Sequence, residues 1–285
     1  MTELELFADK IELVTDIELE PWRKDYPFIH GKVFRRGTSS FRKCLKSVFQ
    51  IHHEFFNIWT HLVPAFIFTF LTFFYAFNKT NESDGNSIPT SLEAFYSSKF
   101  HKPFFEKIMF CTYTISAASC LYCSAFYHTV TCHSKEVFCV FQKLDFAGIA
   151  ILITGSYLPY VYYIFYCSPF WQVLHSLVIT GLGAAVIGFT QTQFFTQPGK
   201  QVVRSGIFIG YGFCSISPMV HGFMLFGADG MFFDNRFAEL AGMGVCYSVF
   251  TWNRSEIDCQ NGILVYCWIF YFERTVFGRR CLLHK

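Results

Sequence analysis

The chain has 285 residues, of which 52% are hydrophobic and 20% aromatic but only 15% charged. Soluble domains contain about 25% charged residues, so this composition excludes an ordinary soluble globule and favours a polytopic membrane protein. The net charge of +2 indicates no particular partner, and we expect none among nucleic acids. The 12 cysteines are scattered, many within apolar runs, which is typical of small hydrophobic side chains rather than a disulfide framework.

The pattern of polar and apolar residues divides the chain into two regions. Residues 1–50 are predicted to form a cytosolic segment, and Phe41, Leu45 and Phe49 would share one face of an interfacial helix at its end. Residues 51–285 are predicted to form a transmembrane helical bundle, whose C-terminal part departs from the pattern from about residue 227.

Apolar runs of about 20 residues, the length that a bilayer requires, recur through the second region. A shorter run at 237–252 predicts a sixth span, whereas the apolar part of 262–272 is too short for a complete seventh. Pro218 predicts a kink in the fifth span, because proline cannot continue the backbone hydrogen bonding of a helix. The five clear spans cover about 52–77, 104–127, 146–166, 170–189 and 202–226.

The basic residues predict that the N-terminus lies in the cytosol. Nine lysines and arginines precede the first span, and the loops after the second and fourth spans are also basic. Cytosolic loops carry the excess of such residues in membrane proteins. The sequons at Asn78 and Asn81 then fall outside, where glycosylation is possible, whereas the sequon at Asn253 falls inside.

The stretch from Ser124 to Asp145 concentrates polar groups at one end of a predicted helix pair. Ser124 and His128 are four residues apart and would share a helix face. Asp145 is predicted to open the next helix, where its carboxylate would cap free N–H groups and lie opposite His128. Such groups within a membrane are usually functional. The simpler alternative is a histidine facing a loop and an aspartate that only caps.

Four stretches of the chain are recognisable, and together they cover most of residues 20–225. The chain resembles the progestin and adipoQ receptor family, of the adiponectin-receptor type. That resemblance implies an all-α, polytopic seven-helix bundle with a cytosolic N-terminus, although the last helix is doubtful or missing here. The matching stretches are PWRKDYPFIHG, SSFRKCLKSVFQIHHEFFNIWTH, FYHTVTCHSKEVFCVFQKLDFAGIAILITGSYLPYVYYIFYCSP and GIFIGYGFCSISPMVH.

The resemblance also implies a zinc ion near the cytosolic end of the bundle. His128 would be a zinc ligand, Asp145 would hold the zinc-bound water, and Ser124 would support the site. The family's late pair of histidines, spaced His-x3-His, has no counterpart in the final stretch FERTVFGRRCLLHK. We therefore expect an incomplete zinc site and a shortened, alternatively spliced or mispredicted C-terminal part.

Other donors could replace the missing histidines. Cys281 and His284 have a spacing that zinc sites use, but they would have to reach back from the C-terminus. Cys132 and His133 are adjacent, and neighbouring residues rarely bind one metal. His221 lies in the fifth span and is expected to form a hydrogen bond within the bundle instead.

The beginning of the first span carries a second set of polar residues. His52 and His53 are expected to lie at the membrane interface. Glu54, Asn57 and His61 fall at helical spacing, and this pattern fits either a polar cluster that supports the site or an interfacial polar face. Asn57 is expected to face the bundle interior, which can satisfy an amide better than lipid can.

The resemblance predicts an integral, multi-pass receptor in the plasma membrane or an internal membrane. It implies zinc-dependent hydrolysis of ceramide-type lipid amides, an extracellular protein hormone as ligand, and contact with membrane lipids. Because the zinc site is incomplete, whether the chain is an enzyme stays open. The alternative is a non-catalytic membrane isoform, or a tether that binds a cytosolic adaptor through its N-terminal segment. The predicted orientation argues against a G-protein-coupled receptor.

Overall fold

A computed structural model describes residues 10–24, 29, 31–77, 103–165, 168–197, 199–214 and 216–232. Within these ranges, a small N-terminal unit precedes a set of long helices. The predicted spans at 237–252 and 262–272 lie outside the described residues, as do the three sequons and the Cys281 and His284 pair.

The N-terminal unit is built on a two-stranded antiparallel sheet. Strand β1 (Leu13–Val14) pairs with β2 (Phe34–Arg35), and Leu13 lies opposite Arg35. Two single-turn 3₁₀ helices, Asp16–Glu18 and Pro21–Arg23, lie between the strands in sequence. The short sheet places the Arg35 side chain where it can reach the helical bundle.

A short helix, α1 (Phe41–Lys46), and a 3₁₀ turn at Ser47–Phe49 lead from this unit to the bundle. The Ser40 hydroxyl caps α1 by accepting a hydrogen bond from the Lys43 N–H. Cys44 faces inward, whereas Phe41, Leu45 and Phe49 are about half exposed or more. This exposed apolar face is the one that an interfacial helix requires.

Six longer helices follow α1, and together they form five candidate membrane spans among the described residues. This number agrees with the five clear spans predicted from the sequence. Four of the spans are single helices, and the fifth, Gln201–Leu225, joins the last two helices. The helices are α2 (Phe55–Phe77), α3 (Pro103–Val130), α4 (Lys135–Ile164), α5 (Pro169–Thr190), α6 (Gln201–Phe213) and α7 (Ile216–Phe232).

The break between α6 and α7 confirms the kink predicted from Pro218. The proline ring would clash with the carbonyl of the residue four positions earlier, Cys214, and the proline has no N–H to donate. The helix accordingly stops after Phe213 and restarts at Ile216. The Ser217 N–H donates to the Cys214 carbonyl at 3.2 Å, which satisfies one of the backbone groups that the break frees.

Helix α4 begins at Lys135, eleven residues before the predicted start of the third span at about residue 146. Its N-cap is Ser134, whose hydroxyl accepts a hydrogen bond from the Val137 N–H, so only Thr131 to Ser134 separate α3 from α4. Asp145 therefore lies inside the helix, and the prediction that it opens the helix as a cap was wrong. Serine is among the residues preferred at helix N-caps, and the Ser134 cap starts the helix well before the predicted apolar span begins.

Helices α3 and α4 are antiparallel and pack closely through two glycines of α4. A Cβ atom on Gly148 would lie 3.0 Å from the Cα of Cys120, and one on Gly155 would overlap the Ser116 side chain. Small residues allow such close helix contacts in membranes. Following the same register toward the start of α4 brings Asp145 level with Ser124. Ser124 and Asp145 therefore lie at this helix contact.

Two apolar clusters hold the rest of the bundle together. One lies between α2 and α3 and the other between α4, α5 and α6, with α3 and α4 forming the contact between them. The first is centred on Ala65, Phe68, Ala117 and Leu121, and the second on Val161, Phe165, Ile179 and Tyr211.

A buried carboxylate at the inner ends of helices α2 and α3

A carboxylate–imidazole contact lies where α2 begins and α3 ends. Glu54, the residue before α2, is completely buried, and its Oε2 lies 2.9 Å from Nδ1 of His128 in the last turn of α3. The Asn57 amide donates to the same oxygen at 2.7 Å. His53 Nε2 lies 3.4 Å from the other carboxylate oxygen, Oε1. Both oxygens of Glu54 thus have polar neighbours inside the protein.

His61 completes the cluster one helical turn further along α2. Its side chain is buried, and its ring lies edge-on to that of His128, with 5.7 Å between the centroids. Its Nδ1 has no hydrogen-bond partner among the described residues. The Glu54, Asn57 and His61 side chains therefore lie together in the interior, and the sequence-based alternative of an interfacial polar face was wrong.

A neutral histidine fixes the backbone of Glu54. His52 Nδ1 accepts a hydrogen bond from the Glu54 N–H at 3.0 Å, and its Nε2 lies 3.1 Å from the Ser47 carbonyl, to which it donates in this tautomer. Burial, together with the nearby charge of Arg35, lowers the pKa of His52 to about 3. The imidazole therefore stays uncharged at neutral pH.

Glu54 itself is held in the ionised form. Burial on its own would raise the pKa of a carboxyl group, but the His128 imidazole and the hydrogen bond from His53 hold the pKa of Glu54 well below its usual range. A buried carboxylate is stable only when its partners are in place. The geometry of this end of the bundle consequently depends on His128.

Arg35 of strand β2 secures the end of α3 that carries His128. Its guanidinium is fully buried and donates to the carbonyls of His128 and Thr129 at 2.5 and 2.8 Å. It also donates to the hydroxyls of Thr131 and Ser47, both at 2.8 Å. The last carbonyls of a helix have no partner within the helix and carry partial negative charge, so a buried cation stabilises them. The N-terminal unit is thereby attached to the site.

The structure brings together most of the polar residues singled out in the sequence. Ser124 is buried one turn before His128 on α3, as their spacing requires. Asp145 is half-buried on α4, close enough to the thiols of Cys120 and Cys123 to act on them electrostatically. The catalytic roles of Ser124 and Asp145 stay predictions. The sequence did not reveal Glu54 as the carboxylate in contact with His128.

The prediction for His52 and His53 and the prediction for His221 have different outcomes. His52 and His53 were expected at the membrane interface, but both side chains are buried. The reason is the N-terminal unit, which covers them; the Phe34 ring packs 4.5 Å from that of His53. His221 was expected to form a hydrogen bond within the bundle, and this is confirmed: its Nδ1 lies 2.9 Å from His175 Nε2.

The described residues supply only part of a zinc site. The contact between His128 Nδ1 and the Glu54 carboxylate resembles the carboxylate–histidine pairs that accompany zinc sites in other proteins. A catalytic zinc ion, however, takes three protein ligands. Among the described residues, no group of three or more His, Cys, Asp or Glu side chains could hold a metal ion. The described residues alone therefore do not supply the three ligands of a catalytic zinc ion.

The chain matches a known protein family and is similar to animal and plant proteins. Residues 49–251 match the family described as Haemolysin-III related. A Caenorhabditis elegans protein, Progestin and adipoQ receptor-like protein 1, is 32% identical over 230 residues, which make up 80% of this chain and 48% of the relative. The Adiponectin receptor protein of Drosophila melanogaster is 34% identical over 203 residues, or 71% of this chain and 41% of the relative.

A plant protein is also similar to this chain. Heptahelical transmembrane protein 4 of Arabidopsis thaliana is 27% identical over 275 residues, covering 76% of this chain and 71% of the relative. The chain spans about half the length of the two animal relatives that it matches. The family match includes residues 227–251, which the sequence pattern had set apart as atypical.

The role of Arg35 can be tested against its neighbour. We expect Arg35→Met to destabilise the detergent-solubilised protein by about 3 kcal/mol, because it leaves buried carbonyls and hydroxyls without a donor. Arg36→Met is the matched control, since Arg36 is exposed and pairs with the equally exposed Glu12; its loss should change stability by less than about 1 kcal/mol. Denaturant unfolding and proteolysis of residues 10–40 measure the difference. Equal effects of the two substitutions would contradict the assigned role.

Proposed function

Because the chain belongs to the haemolysin-III-related family, and within it to the progestin and adipoQ receptors, we propose that it is a membrane receptor of the adiponectin-receptor type. Its ligand would be a protein hormone bound on the outer side, and its cytosolic partner an adaptor bound by the N-terminal segment. Membrane lipids would surround the exposed phenylalanines of its helices. The observation that carries this proposal is the attachment of the N-terminal unit to the ends of α2 and α3.

A receptor has to link its transmembrane helices to a cytosolic surface. In this chain, Arg35 joins the N-terminal unit to the carbonyls of His128 and Thr129. Gln50, just before α2, donates to the Ile11 carbonyl at 2.7 Å, which ties the other side of the unit to the start of α2. A shift of α2 against α3 would disturb both attachments together. Paired contacts of this kind can pass a helix movement to a binding surface.

The contact between Glu54 and His128 would respond to such a shift of α2 against α3. Glu54 is completely buried, His128 is partly buried and each stabilises the other, so an intermediate position would leave the buried charge without its partner. Packed interfaces of this type tend to adopt alternative arrangements rather than deform continuously. This property supports a switching role for the inner end of the bundle. It requires no bond-breaking chemistry at His128.

The receptor proposal predicts binding of a hormone. The name of the Drosophila relative points to adiponectin as the first probe. We expect purified adiponectin to bind saturably to the full chain in lipid nanodiscs, measured by biolayer interferometry, and to bind empty nanodiscs much less. Arg35→Met should leave this binding detectable, since the substitution lies on the cytosolic side of the predicted topology. Equal signals from loaded and empty nanodiscs would contradict the proposal for this hormone.

A second candidate function is hydrolysis of a lipid amide with the help of zinc. What favours it is the contact of His128 Nδ1 with the Glu54 carboxylate, an arrangement also found in histidines that bind zinc. When bound, zinc activates water and polarises a carbonyl group. The site would need further ligands from outside the described residues. His284 is the one histidine in the sequence after residue 232.

Metal analysis separates the two candidates. If the chain is a receptor without hydrolytic chemistry, we expect the purified protein to contain far less than one zinc ion per chain, measured by inductively coupled plasma mass spectrometry. A hydrolase should contain about one zinc ion, and His128→Ala should remove it. His175→Ala is the control, because His175 pairs with His221 on α5 and α7, away from His128. Stoichiometric zinc that is lost only with His128→Ala would favour the hydrolase over the receptor alone.

A further inference from the structure

Two cysteines face each other beside the attachment of the N-terminal unit. Cys44 of α1 and Cys132 of the short connection between α3 and α4 are both fully buried, and their sulfur atoms are 3.5 Å apart. The two residues are 88 positions apart in sequence, so the fold alone brings them together. A disulfide bond has a sulfur–sulfur distance of about 2.05 Å. A movement of about 1.5 Å would therefore join them.

The surrounding contacts hold both cysteines in place. The Thr38 N–H donates to the Cys132 carbonyl at 2.7 Å, and the Ser47 hydroxyl donates to the Cys44 carbonyl at 2.6 Å. Ile11 of the N-terminal segment completes a small apolar cluster with the two cysteines. The pair is thus covered by a segment that lies against the end of the bundle. Displacement of that segment would open the pair to small solutes.

We propose that Cys44 and Cys132 are a redox pair, which forms a reversible disulfide bond in response to a hydroperoxide and locks α1 to the end of α3. The inference goes beyond the receptor proposal and does not depend on it. The predicted topology places both cysteines on the cytosolic side. Reducing agents there keep thiols free, so a disulfide bond at this position would be transient and regulatory.

The electrostatic surroundings favour Cys132 as the attacking group. The hydrogen bond with Cys44 and the positive charges of Arg35 and Arg23 outweigh burial and lower the pKa of Cys132. Its thiolate would attack one oxygen of hydrogen peroxide, breaking the O–O bond and giving a sulfenic acid and, with one proton, water. The Cys44 thiol would then attack the Cys132 sulfur, forming the disulfide bond and releasing a second water molecule.

The disulfide bond would act on the site described above. Cys44 precedes Glu54 by ten residues, and Cys132 follows His128 by four. Joining the two cysteines would fix the segments that carry the carboxylate and the imidazole. A dithiol would reduce the disulfide bond by thiol–disulfide exchange, becoming oxidised itself, and would release the two segments. The redox state would thereby set how freely α2 and α3 can shift against each other.

The test uses the full chain in native membranes treated briefly with hydrogen peroxide. Free thiols are blocked with a maleimide, and the protein is then digested without reduction and analysed by mass spectrometry. We expect a linked peptide containing Cys44 and Cys132, at least 10-fold more abundant after peroxide and absent after dithiothreitol. A gel with a maleimide-polyethylene glycol reagent should show two fewer labelled thiols per chain. Cys44→Ser and Cys132→Ser should abolish both signals.

Cys139→Ser is the control variant, because Cys139 is only partly buried on α4 and should be dispensable for the bridge. If the Cys44 or Cys132 variants fail to accumulate, the wild-type digest decides by itself. The proposal is overturned if peroxide leaves both thiols free to react with maleimide. It is equally overturned if either cysteine is found bridged to a different residue or to a second chain.

Discussion

The arrangement at the inner end of this bundle depends on one buried charge, the Glu54 carboxylate. An ionised group that is removed from water has to be paired and hydrogen-bonded, and removing a single partner of such a pair destabilises a protein by about 3–5 kcal/mol. Asn57 and His128 meet that requirement through one carboxylate oxygen. The start of α2 and the end of α3 are therefore fixed relative to each other. Arg35 adds the N-terminal unit to the same structure.

The membrane explains why this polar structure is confined to the helix ends. Within the span of the bundle, the contacts between α3 and α4 rely on glycines, since Gly148 and Gly155 let the two backbones approach closely. Hydroxyl side chains there return their hydrogen bonds to the backbone or to each other, as Thr72 does with Thr114 at 2.8 Å. The apolar interior gives rigidity, and the polar end gives a group of charges that can respond to movement or chemistry. The proposed receptor function and the proposed redox pair would both use that division.

Much of the fold could be predicted from the sequence because the bilayer imposes a simple length rule. The five clear spans and the break near Pro218 follow from apolar runs and proline chemistry. The start of α4 was misplaced because its first three turns mix charged residues with apolar ones, and only the Ser134 cap marks the start of the helix. His52 and His53 were assigned to the interface because no periodicity reveals that strand β2 folds back over them. The Glu54 and His128 contact is 74 positions apart in sequence, and a single sequence carries no signal for such a pairing.

The energetic coupling between Glu54 and His128 tests this account most directly. It is obtained from a double-mutant cycle of Glu54→Ala, His128→Ala and the double variant, with equilibrium unfolding of the detergent-solubilised protein as the measurement. The account predicts an interaction energy of about 1–3 kcal/mol, because the second substitution adds little once the first has broken the pair. The exposed Glu12 and Arg36 pair serves as reference and should give less than about 1 kcal/mol. Additivity within about 0.5 kcal/mol at Glu54 and His128 would contradict the central claim.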